Sequence, residues 1–164
     1  MRHQVSKVLP YTPQQLFQLV GDVAKYPAFV PWITSMRTWN ERTLSVGVEA
    51  VDAEAGVGFS FLREKFATRV RRDAHNRQID VSLISGPFRK LENRWRFLDA
   101  GHHCTRIEFE IDFVFKSRML ETVLRTNFGH AVDKLIGCFE ARAKALYGEP
   151  GVSAPEAAGE AAAG

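Results

Sequence analysis

Between Cys104 and Tyr147 the hydrophobic period of the chain changes once, from two residues to 3.6, and that change restricts the fold more than any other feature. In the first stretch Ile107, Phe109, Ile111, Phe113 and Phe115 fall on one side, and Arg106, Glu108, Glu110 and Asp112 on the other. Such alternation describes an antiparallel strand with one apolar and one solvated face. From Ser117 to Tyr147, a step of about 100° per residue collects Leu120, Leu124, Phe128, Ala131, Leu135, Cys138, Phe139 and Leu146 on one stripe. Gly129, Asp133, Gly137, Glu140 and Lys144 fall opposite. Read as one helix of about thirty residues, this segment is about 45 Å long. The two interior glycines predict a slight bend or a close outer contact.

Upstream, Arg2 to Leu9 alternates weakly and reads as a first strand. Thr12-Pro13-Gln14-Gln15 then has the form of a helix start, with Thr12 as N-cap, Pro13 in the first helical position and Gln15 completing a capping box. Leu16, Phe17, Leu19 and Val20 supply its buried side, and Asp22 is placed to cap a second short helix through Tyr26. Strand-like segments follow at Met36 to Asn40, Leu44 to Val51, Phe59 to Arg71, Gln78 to Ile84, Glu92 to Leu98 and Cys104 to Phe115. The order predicts an α+β domain over residues 1–148. Six or seven strands form a curled antiparallel sheet, two short helices follow the first strand, and the long last helix covers the apolar face. From Glu149 onward the chain is Ala, Gly, Pro and Glu without an apolar period, and residues 149–164 are expected to be a disordered tail.

Several function classes fall away on composition. No stretch has the apolar core of a signal peptide or approaches the roughly 18 apolar residues of a spanning helix, so a cytoplasmic protein is expected. Cys104 and Cys138 lack metal-ligand spacing and read as free thiols. The net charge of +3 is too diffuse for a nucleic-acid footprint, and no DNA partner is expected. Gly56-Val57-Gly58 has Phe61 where a dinucleotide loop needs a third glycine, and a strand follows it. His102 and His103 are adjacent, so their side chains diverge, and no Ser-His-Asp or Cys-His set can be assembled. The chain is read as a binder with no catalytic residues, metal or cofactor. Twelve Phe are the one compositional excess, and such rings either fill a core or line something that is not protein.

Four stretches carry a resemblance. They are Val20-Gly21-Asp22-Val23 with Tyr26 and Phe29-Val30-Pro31-Trp32; Gly58-Phe59 with Leu62, Glu64, Phe66, Thr68 and Val70; Gly86 to Phe97; and Phe113 to Ser117 running into the last helix. Together they resemble the helix-grip superfamily of START lipid-transfer domains, polyketide cyclases and pollen-allergen-type carriers. Within it they resemble the coenzyme Q-binding protein family, and the bacterial ribosome-association toxins look similar across the same stretches. The resemblance implies a carrier or chaperone for ubiquinone or a related isoprenoid lipid that supports respiratory electron transport, with peripheral contact at the inner membrane. It leaves open a ribosome-binding protein as the alternative and a polyketide cyclase or aromatase as a third reading.

A sheet curled around a helix leaves an interior gap, and Trp32, Phe59, Phe66, Trp95, Phe97, Phe109, Phe113, Phe128 and Leu135 are the expected apolar lining. Polar contacts to a ligand head are assigned to Glu64, Thr68, Ser82 and Trp95. Glu64 shares strand parity with Phe66 and Thr68, and a buried carboxylate needs a partner or a proton. A twist that turns it outward, an ion pair with an Arg of the next strand, a contact with a ligand head, and a general acid or base role all remain open for it. Arg69, Arg71 and Arg72, with Arg89, Lys90, Arg94 and Arg96, read either as a solvated sheet face or as a contact with anionic lipid, for which Arg69, Arg71, Arg89 and Lys90 are the candidates.

Overall fold

The computed structural model describes residues 1–59 and 62–148; the side chains of Phe59 and Leu62 and the segment 149–164 lie outside the described residues, so the expectations for Phe59 and for the tail are not addressed. The chain runs β1 (Arg2–Leu9), α1 (Pro13–Gly21), a 3₁₀ helix (Val23–Ala28), β2 (Ile33–Ser45), β3 (Val48–Phe59), β4 (Leu62–Asp73), β5 (Gln78–Ser85), β6 (Phe88–Gly101), β7 (Cys104–Phe115), α2 (Arg118–Arg125) and α3 (Phe128–Tyr147). All seven strands belong to one antiparallel sheet, in the order β1-β7-β6-β5-β4-β3-β2. The expected α+β helix-grip arrangement is present: strands 2 to 7 form a meander, β1 returns to pair with β7, and α3 crosses the concave apolar face.

The local signals at α1 are realised. The Thr12 hydroxyl accepts the Gln15 amide N–H at 3.1 Å, and the Gln15 side chain accepts the Thr12 N–H at 2.9 Å. Leu16, Phe17, Leu19 and Val20 are buried. The next helix differs from expectation: it is 3₁₀, contains Pro27, and takes no cap bond from the Asp22 side chain. Proline removes an amide donor there, which favours a short, tight helix.

Two larger readings are corrected. The strand expected at Leu44 to Val51 is the end of β2, a Val46-Gly47 turn and the start of β3. Gly47 takes φ +77°, a conformation glycine adopts at little cost, and Val46 is fully exposed at the tip. The region Asp52 to Gly58, read as a break, is strand: its Ala and Gly residues have low β-propensity, but both neighbouring strands satisfy its backbone.

The long helix is the second correction. It is two helices, interrupted at Thr126 and Asn127, where the Asn127 N–H bonds back to Leu124 O at 3.2 Å in a tight turn. Thr and Asn are weak interior helix formers, and the interruption resets the helical phase. The stripe that α3 buries is therefore Val132, Ile136, Phe139 and Ala143, rotated by about one residue from the continuous-helix expectation. Phe128, Leu135 and Cys138 are half-buried, whereas Leu146 is exposed. Gly129 lies against β1: an added Cβ would approach His3 Cε1 to 3.3 Å.

Candidate functional site

Between the sheet and α3 lies a cavity of about 250 Å³. Period-two alternation places its walls. On β4 Phe66, Thr68 and Val70 point inward; on β6 Leu91, Asn93 and Trp95; on β7 Phe109, Ile111, Phe113 and Phe115. Phe128, Leu135 and Phe139 close it from α3, and Tyr26 from the 3₁₀ helix. Seven of the twelve Phe line this space, which accounts for much of the aromatic excess.

Most of the rings meet edge to face: Trp95 lies 4.7 Å from Phe109 and 5.2 Å from Phe139, and Phe66 lies 5.3 Å from Phe88. Phe113 is tilted against Phe128 at 4.6 Å, and Phe88 stacks on Phe115 at 4.7 Å. Each pair adds about 0.5–1.5 kcal/mol beyond burial, so the wall is held in shape. Across it, β3 contributes Ala53 and Ala55, whose short side chains leave space beneath α3.

Polar groups in the wall are few. Among the described residues, no Asp, Glu, Lys, Arg or His lines the cavity. The Trp95 indole N–H donates to Asn93 Oδ1 at 3.0 Å, and Asn93 Nδ2 donates to Glu110 O at 2.9 Å, so this pair is fixed by its own bonds. The Tyr26 hydroxyl donates to Val20 O, and burial, then the Asp22 charge, hold its pKa well above the ordinary phenol range. Thr68 differs. It is 7% exposed, its side chain faces the cavity, and its hydroxyl has no hydrogen-bond partner among the described residues. Because it lines the cavity, that hydroxyl can bond an acceptor on a ligand there.

The structure gathers Phe66, Thr68, Trp95, Phe109, Phe113, Phe128 and Leu135 around the cavity. Four other candidates lie elsewhere. Trp32 sits in the turn before β2, half-buried, with its carbonyl accepting the Gly58 N–H at 2.9 Å. Phe97 is core beneath α1, 6.1 Å from Phe17. Ser82 is exposed on the outer sheet face beside Asp80 and Arg94, because Ile79 and Val81 take the inward positions of β5. Glu64 keeps the parity of Phe66 but lies one pleat beyond the cavity wall, opposite Val57 near the β3–β4 tip.

The basic residues also resolve differently from a free cationic face. Arg69 pairs with Asp52 at 3.0 Å, Arg71 with Asp80 at 3.9 Å, Lys90 with Asp112 at 2.8 Å, Arg94 with Asp80 at 2.7 Å and Arg96 with Glu108 at 3.2 Å. Lys90, Arg94 and Arg96 find acids on adjacent strands because the mainly basic outward residues of β6 lie between Asp80 on β5 and Glu108 and Asp112 on β7. Arg72 has the inward parity of Val70. It donates to Gly21 O at the α1 C-terminus at 3.0 Å and reaches Glu41 at 2.9 Å. Of the four proposed lipid contacts, Arg89 alone is exposed without an ion pair among the described residues.

Sequence reading missed Tyr26, Met36, Ala53, Ala55, Phe88, Asn93 and Phe115 as wall residues. Asn93 and Phe115 share parity with residues that were named, so the alternation alone could have found them. Ala53 and Ala55 carry a subtler signal, two small residues on the inward face of one strand.

The family model described as polyketide cyclase / dehydrase and lipid transport matches residues 9–140. An 18 kDa protein of Caulobacter crescentus with a known solution structure is 63% identical, with a TM-score of 0.77 over 91% of this chain and 99% of that one. The ribosome association toxin RatA of Rickettsia prowazekii is 36% identical over 86% of this chain and 94% of its own length. The mitochondrial coenzyme Q-binding protein COQ10 homolog B of Xenopus laevis is 27% identical over 96% of this chain and 64% of its own length.

Proposed function

We propose that this chain, which belongs to the polyketide cyclase / dehydrase and lipid transport family, carries a neutral, ring-bearing apolar molecule in the cavity under α3, with ubiquinone or a related isoprenoid as its occupant. The observation that carries this reading is a wall of aromatic rings without a charged group, interrupted by the unpartnered Thr68 hydroxyl. A fatty-acid carboxylate in such a wall would be a buried charge without a counter-ion. A quinone is neutral, stacks flat against aromatic rings and offers carbonyl oxygens to the Thr68 donor. At about 250 Å³ the space is slightly below the roughly 300–1,000 Å³ of drug-sized sites, which suits a ring and the start of a tail.

Energetics make the head the selective part. Moving a prenyl tail from a bilayer into an apolar cavity gains almost nothing, since lipid is already apolar. Affinity for one bilayer component over another must then come from ring packing and Thr68. The only titratable lining group among the described residues is the Tyr26 phenol, which is kept protonated and already donates to Val20 O. That supports a carrier over a cyclase, whose chemistry needs an acid–base pair.

Titration with a short-chain ubiquinone is expected to quench tryptophan fluorescence saturably, with a fatty acid of similar length competing poorly. Trp95→Phe removes the reporter at the wall and leaves Trp32 and Trp39 as controls. Thr68→Val, similar in shape but lacking the hydroxyl, should weaken quinone affinity about tenfold. Unchanged fluorescence at saturating quinone would remove the quinone reading. A second reading, association with a ribosomal subunit, is favoured by the RatA relative, which aligns over nearly all of its own length. Co-sedimentation of the purified chain with isolated subunits tests it.

A further inference from the structure

We propose that the end of the sheet next to α2 is a docking face for an anionic lipid bilayer, with α2 lying in the interface. This goes beyond the cavity reading and stands on exterior residues. On α2 the four apolar residues Met119, Leu120, Val123 and Leu124 fall within one arc, and Arg118, Glu121, Thr122 and Arg125 fall on the opposite one. None of the four is buried: Leu120 and Leu124 are half-covered, while Met119 is 73% and Val123 42% exposed. The core thus leaves Met119 and Val123, half of the apolar side of an amphipathic helix, uncovered.

The charge around it selects the occupant. Lys116 N–H bonds to Pro87 O at 2.9 Å, β4 reaches β5 through Ala67 and Ser85, and Gly86 lies against Lys65 and Phe66. These contacts bring Lys65, Arg89, Lys116 and Arg118 to one end of the molecule, all exposed and without an ion pair among the described residues. Arg125 is paired with Glu121, which leaves Glu64 as the opposing charge on those segments. A second copy of this chain would bring like charges together, and RNA would gain nothing from exposed Met and Val. An apolar layer beneath anionic headgroups satisfies both sets of groups, since each surface cation strengthens partition about fivefold. α2 joins Phe115 to Phe128, both in the cavity wall, so a bilayer held there would lie beside the cavity.

The test is co-flotation of the full chain with vesicles of phosphatidylcholine alone and of equal parts phosphatidylcholine and phosphatidylglycerol. Wild type should partition at least tenfold more strongly into the anionic vesicles, and salt should weaken it. The double variant Met119→Asp/Val123→Asp should lose about a hundredfold, and Lys65→Glu/Lys116→Glu should lose the preference for anionic lipid. All four positions are exposed, so both variants should melt with the wild type. Wild-type partition by Met119→Asp/Val123→Asp would overturn the proposal. So would a chain that ignores both vesicles yet binds ribosomal subunits through the same cations. Vesicle binding without quinone binding would leave this face standing and remove only the cavity reading.

Discussion

Replacing Ala55 by Leu tests whether the space under α3 is real. Ala55 lies on the inward face of β3, paired with Met36 on one side and Phe66 on the other, and is 7% exposed. If its methyl abuts protein, three added carbons overpack the core and cost about 1–3 kcal/mol. If it faces an empty cavity, the same carbons are buried at about 0.8 kcal/mol each, about 2.4 in all, less about 0.5–1 for the rotamer freedom Leu loses. The net is a gain of about 1.5 kcal/mol. With a urea slope of about 2 kcal/mol per M, the unfolding midpoint rises by about 0.7 M at unchanged slope, and Tm rises by about 3–6 °C. The variant should also lose quinone quenching, because the added side chain occupies the ligand's volume. A midpoint lowered by the overpacking amount would refute the argument, since the sign of the change depends on whether the cavity exists.

Three further outcomes follow from particular contacts. Phe128→Asp places a carboxylate against Phe113 and the cavity wall and should cost about 3 kcal/mol in denaturant unfolding; wild-type stability would mean this ring does not face the sheet. Hydrogen bonds from Arg69, then from Asn40, with the nearby Arg42 charge, hold the Asp52 carboxyl at about 2. A lowered folded pKa means stability that is whole above about pH 4 and is lost as pH falls toward 2. Asp52→Asn should flatten that acid dependence by about 1 kcal/mol, the half-exposed Arg69 screening the rest, and an unchanged acid profile would count against the pair. Thr12→Ala removes the α1 cap and should cost about 1 kcal/mol, read as a lower thermal midpoint, with no change showing the cap to be dispensable.

The sequence by itself determined the inward and outward faces of the strands, because a period of two leaves no choice once one face is apolar. Phe66, Thr68, Trp95, Phe109 and Phe113 could be assigned to the interior on that basis, and the capping box at Thr12 and Gln15 could be read from four residues. It did not determine how far along a strand the cavity extends. Trp95 and Phe97 have the same parity on β6, yet one lines the cavity and the other is core under α1, a difference set by which helix lies above each. Glu64 has the parity of a wall residue and lies past the wall, near the β3–β4 tip. Only the tertiary structure decided the charge pattern of the outer face, since Arg69 and Asp52, or Arg94 and Asp80, become partners through the register of adjacent strands, across separations of 17 and 14 residues. It also decided the face of α3, because a two-residue interruption at Thr126 and Asn127 shifts the helical phase by an amount no periodic reading carries across it.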